Sequence, residues 1–169
     1  MDALRRLNEL TAEEALAELL RCCGSTRWAS AMTARRPYAD AEVLQAAAED
    51  AWWALGDGDW LQAFAHHPKI GDRQALRARF ASTAAWAADE QKGAAVAGDD
   101  VLQALEDGNR AYEARFGYIF IVCATGKTAP EMLALLQERL TNAPRDEIRK
   151  AAREQAKITR LRLERLLAS

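Results

Sequence analysis

Two histidines stand side by side in the stretch AHHPKIGD at 65–72, and they are the only two in a chain of 169 residues. An imidazole titrates near neutrality, so the pair offers three chemistries: a metal chelate, a catalytic base beside a bystander, or a helix ending. Chelation is the weakest of these. Consecutive residues on a helix point apart, and no Cys, His or Asp spacing elsewhere completes a zinc pattern. On the short helix that precedes the pair, His67 lies seven residues after Trp60 and three after Phe64, on the apolar face. His66 follows Gln62 and Ala63 on the more polar side. Pro68 disfavours helical dihedrals at His67, so the helix is expected to end there with the imidazole at its C-terminal mouth. Residue type and spacing go no further, since a histidine on an apolar face can equally be a satisfied core residue.

Alanine, leucine and long charged residues dominate the chain, and β-branched residues are sparse, so helices are the default elements. Thr11 and Glu14 form a capping box for a helix that runs to about Cys23 and stops at Gly24. Ser25 caps a short helix carrying Trp28 and Met32 and ended by Pro37. Asp40 starts the next, with an apolar stripe of Leu44, Ala48, Ala51, Trp52 and Leu55. The GDGD turn at 56–59 separates it from the helix from Trp60 to about His66. Helical stretches follow around 73–80 and 83–95, with Asp72 as an N-cap. AGDD at 97–100 reads as a turn and cap, after which Val101, Leu105, Tyr112 and Phe116 mark one face of a longer helix. Thr128 and Glu131 make a second capping box, for a helix with Met132, Leu133, Leu136 and Leu140. Asn142-Ala-Pro144 opens the last and longest helix, to about Leu167. The expected fold is all-α: one compact domain over 1–169 with about eight to nine helices and no sheet.

The run FGYIFIVCATG at 116–126 departs from this pattern, packing β-branched and aromatic residues between two glycines. It reads as core filler, or as a segment whose backbone N–H groups face a ligand because no neighbouring strand takes them.

Charge excludes some partners. With 23 basic and 25 acidic side chains interspersed and a net charge of −2, the surface has no electrostatic footprint for nucleic acid or anionic membranes. No apolar run approaches the roughly 20 residues that span a bilayer. The N-terminal stretch lacks the apolar core of a signal peptide, so a soluble cytoplasmic protein is expected. Cys22, Cys23 and Cys123 suggest buried hydrophobes rather than a disulfide framework. Lys69 and Lys127 read as solvent-facing or loop residues. Trp28, Trp52 and Trp53 read as core or dimer contacts.

Six elements in register extend over nearly the whole chain: CCGSTRW at 22–28, HPKIGD at 67–72, WAADEQ at 86–91, FGYIFIVCATGK at 116–127, ERLTN at 138–142 and KITRLRL at 157–163. Together they resemble the 2-oxo-4-hydroxy-4-carboxy-5-ureidoimidazoline (OHCU) decarboxylases, which complete conversion of urate to S-allantoin. The resemblance implies an all-helical domain, usually a homodimer, that works without cofactor or metal. It implies His67 as catalytic acid/base and Glu90 as its acidic partner. It also implies substrate contacts from Pro68, Ala87, Gln91, Arg162 and the segment Phe120, Ile121, Val122, Cys123 and Ala124. The family's usual serine in the WAADEQ element is Ala87 here, which removes one hydroxyl. A hydrogen bond of that kind is worth about 0.5–1.5 kcal/mol. That departure also leaves a second possibility, a helical paralogue or interaction module with lost or altered activity.

The implied chemistry suits these residues. The substrate's carboxylate sits on a carbon bearing a hydroxyl, beside a ring imine that accepts the electrons left by carbon dioxide. The substrate thus supplies its own electron sink, and the protein has only to manage protons. Arg162 lies four residues from both Ile158 and Leu166, beside the buried stripe of the last helix, and is the expected cation for a carboxylate or ureido group. Two titratable groups in different environments, His67 and Glu90, match the need for proton removal and single-faced proton delivery.

Overall fold

A computed structural model describes residues 2–68 and 94–169 of the chain, with the side chains of 2–68 and 98–169. Ala87, Glu90 and Gln91 lie outside the described residues, as do Lys69, the Asp72 cap and nearly all of the helical stretches expected around 73–95.

Asp2 starts α1 (Ala3–Glu9), a helix that the sequence reading did not anticipate, by accepting from the Leu4 N–H. The Thr11 capping box closes in both directions at the head of α2 (Ala12–Cys22). Ser25 caps α3 (Thr26–Ala34) and Asp40 caps α4 (Ala41–Trp53), each through the N–H three residues on. Four of these side chains thus satisfy N–H groups that a helix start would otherwise strand. The next helix, α5 (Asp57–Ala65), starts earlier than expected because most of GDGD is helical. Gly56 is its N-cap, and Asp57 and Asp59 place negative charge on the first turn, where the helix dipole favours it.

The next described helix, α6 (Ala94–Phe116), also corrects an expectation: AGDD at 97–100 is helical and not a turn. One interior glycine costs only about 1 kcal/mol relative to alanine, too little to break a helix with an apolar face further along. It is followed by α7 (Ala129–Leu140), capped by Thr128 on the Glu131 N–H, and α8 (Pro144–Ala168), which Pro144 opens. Between α6 and α7, residues 119–124 form neither a helix nor a paired strand. Among the described residues there are eight helices and no strand, the all-α class expected.

Contacts group the chain into two compact units, one of Met1–His67 with Ile148–Ser169 and one of Pro68–Glu147. In the first, Trp28, Leu19, Met32, Leu44, Phe64 and Leu163 are fully buried. Three indole N–H groups tie its helices to one another. Trp28 donates to the Ala48 carbonyl at 3.1 Å, Trp52 to Ala152 at 2.9 Å and Trp60 to Trp52 at 3.1 Å. Each tryptophan therefore buries a large apolar surface without stranding its donor. Trp53 is different: it remains 42% exposed, edge-on to Trp60.

In the second unit Leu102, Leu105, Tyr112, Val122, Met132 and Leu136 make the core. A Cβ on Gly108 of α6 would lie 2.5 Å from the Leu136 side chain, so glycine lets α6 and α7 approach.

Candidate active site

The end of α5 presents both histidines. The N–H groups of His66 and His67 bond the Ala63 and Phe64 carbonyls at 3.2 Å each, a tightening of the last turn before Pro68. His66 is exposed, His67 is half-buried and Pro68 is exposed, the asymmetry that their spacing implies. The turn can lie where it does because of Gly24. A Cβ there would fall 2.3 Å from His66 Cγ and 2.4 Å from its Cβ.

His67 Nε2 meets Gln155 Oε1 at 2.5 Å. Gln155 is fully buried on α8, and its Nε2 donates to Thr159 Oγ1 at 3.1 Å. Thr159 is itself buried. Burial pushes the Cys23 thiol up to about 11, and the Cys22 thiol likewise.

Further along α8 stands Arg162, half-buried, with Nη1 donating to the Cys22 carbonyl at 3.4 Å. Seven residues separate Gln155 from Arg162. A helix returns to within about 20° of the same direction over that distance and advances about 10 Å. Gln155, Thr159 and Arg162 therefore form one polar row, with His67 at one end and a guanidinium at the other.

Arg162 lines a cavity of about 1010 Å³ together with Arg6, Arg21, Arg165 and His66. Glu14 and Glu18 also border it, but Glu14 is committed to the Thr11 capping box and Glu18 pairs with Arg21 at 3.4 Å. The remaining guanidinium groups leave the cavity with a cationic surplus suited to a carboxylate. His66 also borders this cavity.

In the second unit, Ile121, Val122 and Cys123 are buried, with Phe120 and Ala124 half-buried on either side. Arg139 holds this segment. Its Nη1 donates to the Ile121 carbonyl, and its guanidinium lies 4.6 Å from the centre of the Phe120 ring. Lys127 Nζ donates to the Cys123 carbonyl at 2.7 Å. Arg139 in turn pairs with Glu147 at 2.6 Å, and both are almost wholly buried. Glu147 also accepts from the Tyr112 hydroxyl and, at 3.1 Å, from Asn142 Nδ2. Burial and the bond to Glu147 drive the Tyr112 hydroxyl well above the usual phenol range.

The sequence reading missed Gln155, Thr159, Arg139, Tyr112 and Glu147 as supports. A heptad step back from Arg162 would have found Gln155. Nothing local marks Arg139 or Glu147 as buried, because both sit among exposed charges.

Among the described residues no cluster of three or more His, Cys, Asp or Glu could hold a metal, and no helix is long and apolar enough to cross a membrane.

The sequence model of the OHCU decarboxylases matches residues 8–164. The chain belongs to the OHCU decarboxylase family. It is 37% identical over 150 residues to the uric acid degradation bifunctional protein TTL of Arabidopsis thaliana, covering 87% of this chain and 45% of that protein. It is 28% identical over 172 residues to the 2-oxo-4-hydroxy-4-carboxy-5-ureidoimidazoline decarboxylase of Amia calva, covering 97% and 94% of the two chains. The chain spans less than half the length of the bifunctional relatives from Arabidopsis thaliana and Bacillus sp. (strain TB-90), 45% and 32% respectively. Among solved structures, an OHCU decarboxylase crystallised in the presence of (S)-allantoin superposes with a TM-score of 0.71. That pair shares 35% identity over 90% of this chain and 98% of the other. An (S)-allantoin synthase at 18% identity gives the same TM-score over 97% of this chain and 53% of its own, a likeness of fold.

Proposed function

We propose that the protein decarboxylates OHCU to S-allantoin without a cofactor, as the last step of urate degradation. Loss of carbon dioxide from the hydroxyl-bearing carbon sends its electron pair to the adjacent ring imine, whose nitrogen takes up a proton. The hydroxyl then loses its proton to become a carbonyl, and the neighbouring carbon gains one proton on a single face. His67 is the principal acid/base in this scheme and Glu90 its partner. Arg162 takes the substrate carboxylate or ureido group, Gln91 pairs with the ureido or ring amides, and Pro68 and the chain around Ala87 line the substrate. The backbone of residues 120–124 reads the hydantoin-like edge. With the Ile121 and Cys123 carbonyls taken by Arg139 and Lys127, this role falls to the remaining peptide groups of the segment.

The observation that carries this reading is the polar row of α8, which holds an imidazole and a guanidinium on one unit within a family of decarboxylases. A titratable group beside a fixed cation is what decarboxylation on a self-sufficient electron sink requires. The protein is further proposed to be a cytoplasmic homodimer, to be checked by light scattering in solution.

The test is to generate OHCU freshly, follow its ultraviolet absorbance with and without the protein, and subtract the spontaneous decay. Accelerated decay to dextrorotatory allantoin supports the proposal. Decay at the background rate, or a racemic product, would contradict it.

A further inference from the structure

We propose that Arg139 and Lys127 are positioning residues: by pinning two carbonyls they hold residues 120–124 in the conformation that meets the substrate. The role deepens the proposed contact between this segment and the substrate, and rests on it.

Residues 119–124 belong to no helix or paired strand, so no ladder of backbone bonds sets their dihedrals. Two cationic side chains supply the restraint instead. Arg139 Nη1 donates to the Ile121 carbonyl at 2.5 Å, and Lys127 Nζ donates to the Cys123 carbonyl at 2.7 Å. The two anchors are thus two residues apart along the buried centre of the segment.

Each anchor is itself held. Arg139 Nε and Nη2 both bond Glu147, at 2.9 and 2.6 Å, and Glu147 also accepts from Tyr112 and Asn142. A planar guanidinium committed through two of its nitrogens has one direction left for the third. The Phe120 ring centre lies 4.6 Å from that guanidinium, so the same group also seats the first side chain of the segment. Lys127 comes back through a turn. Gly126 sits at φ +75°, and the Lys127 N–H bonds the Ala124 carbonyl at 3.0 Å. Stability alone is a poor reason for this arrangement, since replacing a buried ion pair by apolar side chains of similar volume is often neutral or stabilising. An apolar pair would not donate to Ile121, and that donation is what the ion pair adds. The element ERLTN at 138–142 supplies both Arg139 and Asn142, and positioning gives it a task in the reaction.

The experiment uses the full chain and reads KM and kcat for OHCU, melting temperature, and amide hydrogen exchange across residues 120–124. Lys127→Met should raise KM about fivefold with kcat within about twofold, and speed exchange in the segment about tenfold. Lys127→Arg, which keeps a donor, should recover most of the change in KM. Arg139→Lys keeps a cation beside Glu147 but cannot bond it twice and still reach Ile121, so KM should rise about tenfold. Tyr112→Phe is the structural control. It removes a bond to Glu147, leaves both carbonyl anchors, and should lower the melting temperature with KM unchanged. Unchanged KM in folded Lys127→Met and Arg139→Lys would overturn the proposal, as would an equal rise in Tyr112→Phe, the mark of general loosening. S-allantoin separates that failure from failure of the underlying contact. If it slows exchange at 120–124 in the unaltered protein while KM is unmoved in the variants, the contact stands and positioning fails. If it leaves exchange there unchanged, the contact fails and the proposal falls with it.

Discussion

Gln155 and His67 lie 88 positions apart in sequence and meet through Oε1 and Nε2 at 2.5 Å. The contact ties the end of α5 to the middle of α8. It gives the half-buried imidazole a fixed partner, and two turns further along the same helix face stands Arg162. An imidazole proposed to move protons has to be aimed before it is useful, and here a neutral, buried amide holds it. The polar row thus links helix packing directly to the chemistry proposed for the site.

Arg162→Met should raise KM for OHCU about ten- to a hundredfold, with a smaller effect on kcat. A charge-assisted hydrogen bond to a carboxylate is worth about 1.5–3 kcal/mol, and methionine keeps most of the apolar stem packed. Steady-state kinetics on freshly made substrate measure the split. A fall in kcat with KM unchanged would place Arg162 outside the binding role.

Gly24→Ala should destabilise the protein by about 1–3 kcal/mol and lower turnover. Its Cβ would fall on Cβ and Cγ of His66, the stiff base of the side chain, so the end of α5 has to shift. His67 moves with it. A denaturant melt and an activity assay on the same sample check both effects, and a native-like result in both would mean that the turn is compliant.

Arg139→Met should cost about 3–5 kcal/mol in denaturant unfolding, because it leaves the Glu147 carboxylate buried without its cation. Adding Glu147→Leu to the same chain should recover much of that loss. Both variants should raise KM, since the Ile121 carbonyl loses its anchor. A double variant no more stable than the single one would show that the pair is not coupled.

Alkaline stability should decline from about pH 9 to pH 11. The thiols of Cys22 and Cys23 are pushed from 9.0 up to about 11 by burial. Their raised values stabilise the folded state fully below pH 9, and the contribution is lost as pH rises through the folded value. Linkage puts this on the order of 2 kcal/mol per thiol. Melting temperature against pH measures it, and Cys23→Ala should flatten the decline. A flat profile to pH 11 in the unaltered protein would contradict the burial argument.

Much of the helix plan was legible because it is written locally. Thr11, Ser25, Asp40 and Thr128 cap the helices they were read to cap, since a short polar side chain has few other ways to satisfy a helix start. The asymmetry of His66 and His67 was legible for the same reason, being set by helical period and the following proline. Elements that depend on context were not. Gly56 and Asp57 read as turn residues in isolation, yet the dipole of α5 takes their charge and backbone. AGDD reads as a stop, yet helix continuity outweighs one glycine. Gln155 and Arg139 each also bond a group distant in sequence, His67 at 88 positions and the Ile121 carbonyl at 18, which no local pattern shows. The candidate site residues were named through a family pattern, and the groups that hold them came only from the fold.

The most direct measurement of the central claim is the single-turnover rate of His67→Gln. Stopped-flow absorbance on freshly generated OHCU, with spontaneous decay subtracted, gives the rate of substrate loss for the variant and the unaltered protein side by side. General acid–base catalysis by one side chain contributes about 10²–10⁴-fold, so the variant should fall at least about a hundredfold while keeping its melting temperature within a few degrees. A folded His67→Gln protein with near-normal turnover would remove His67 from the chemistry.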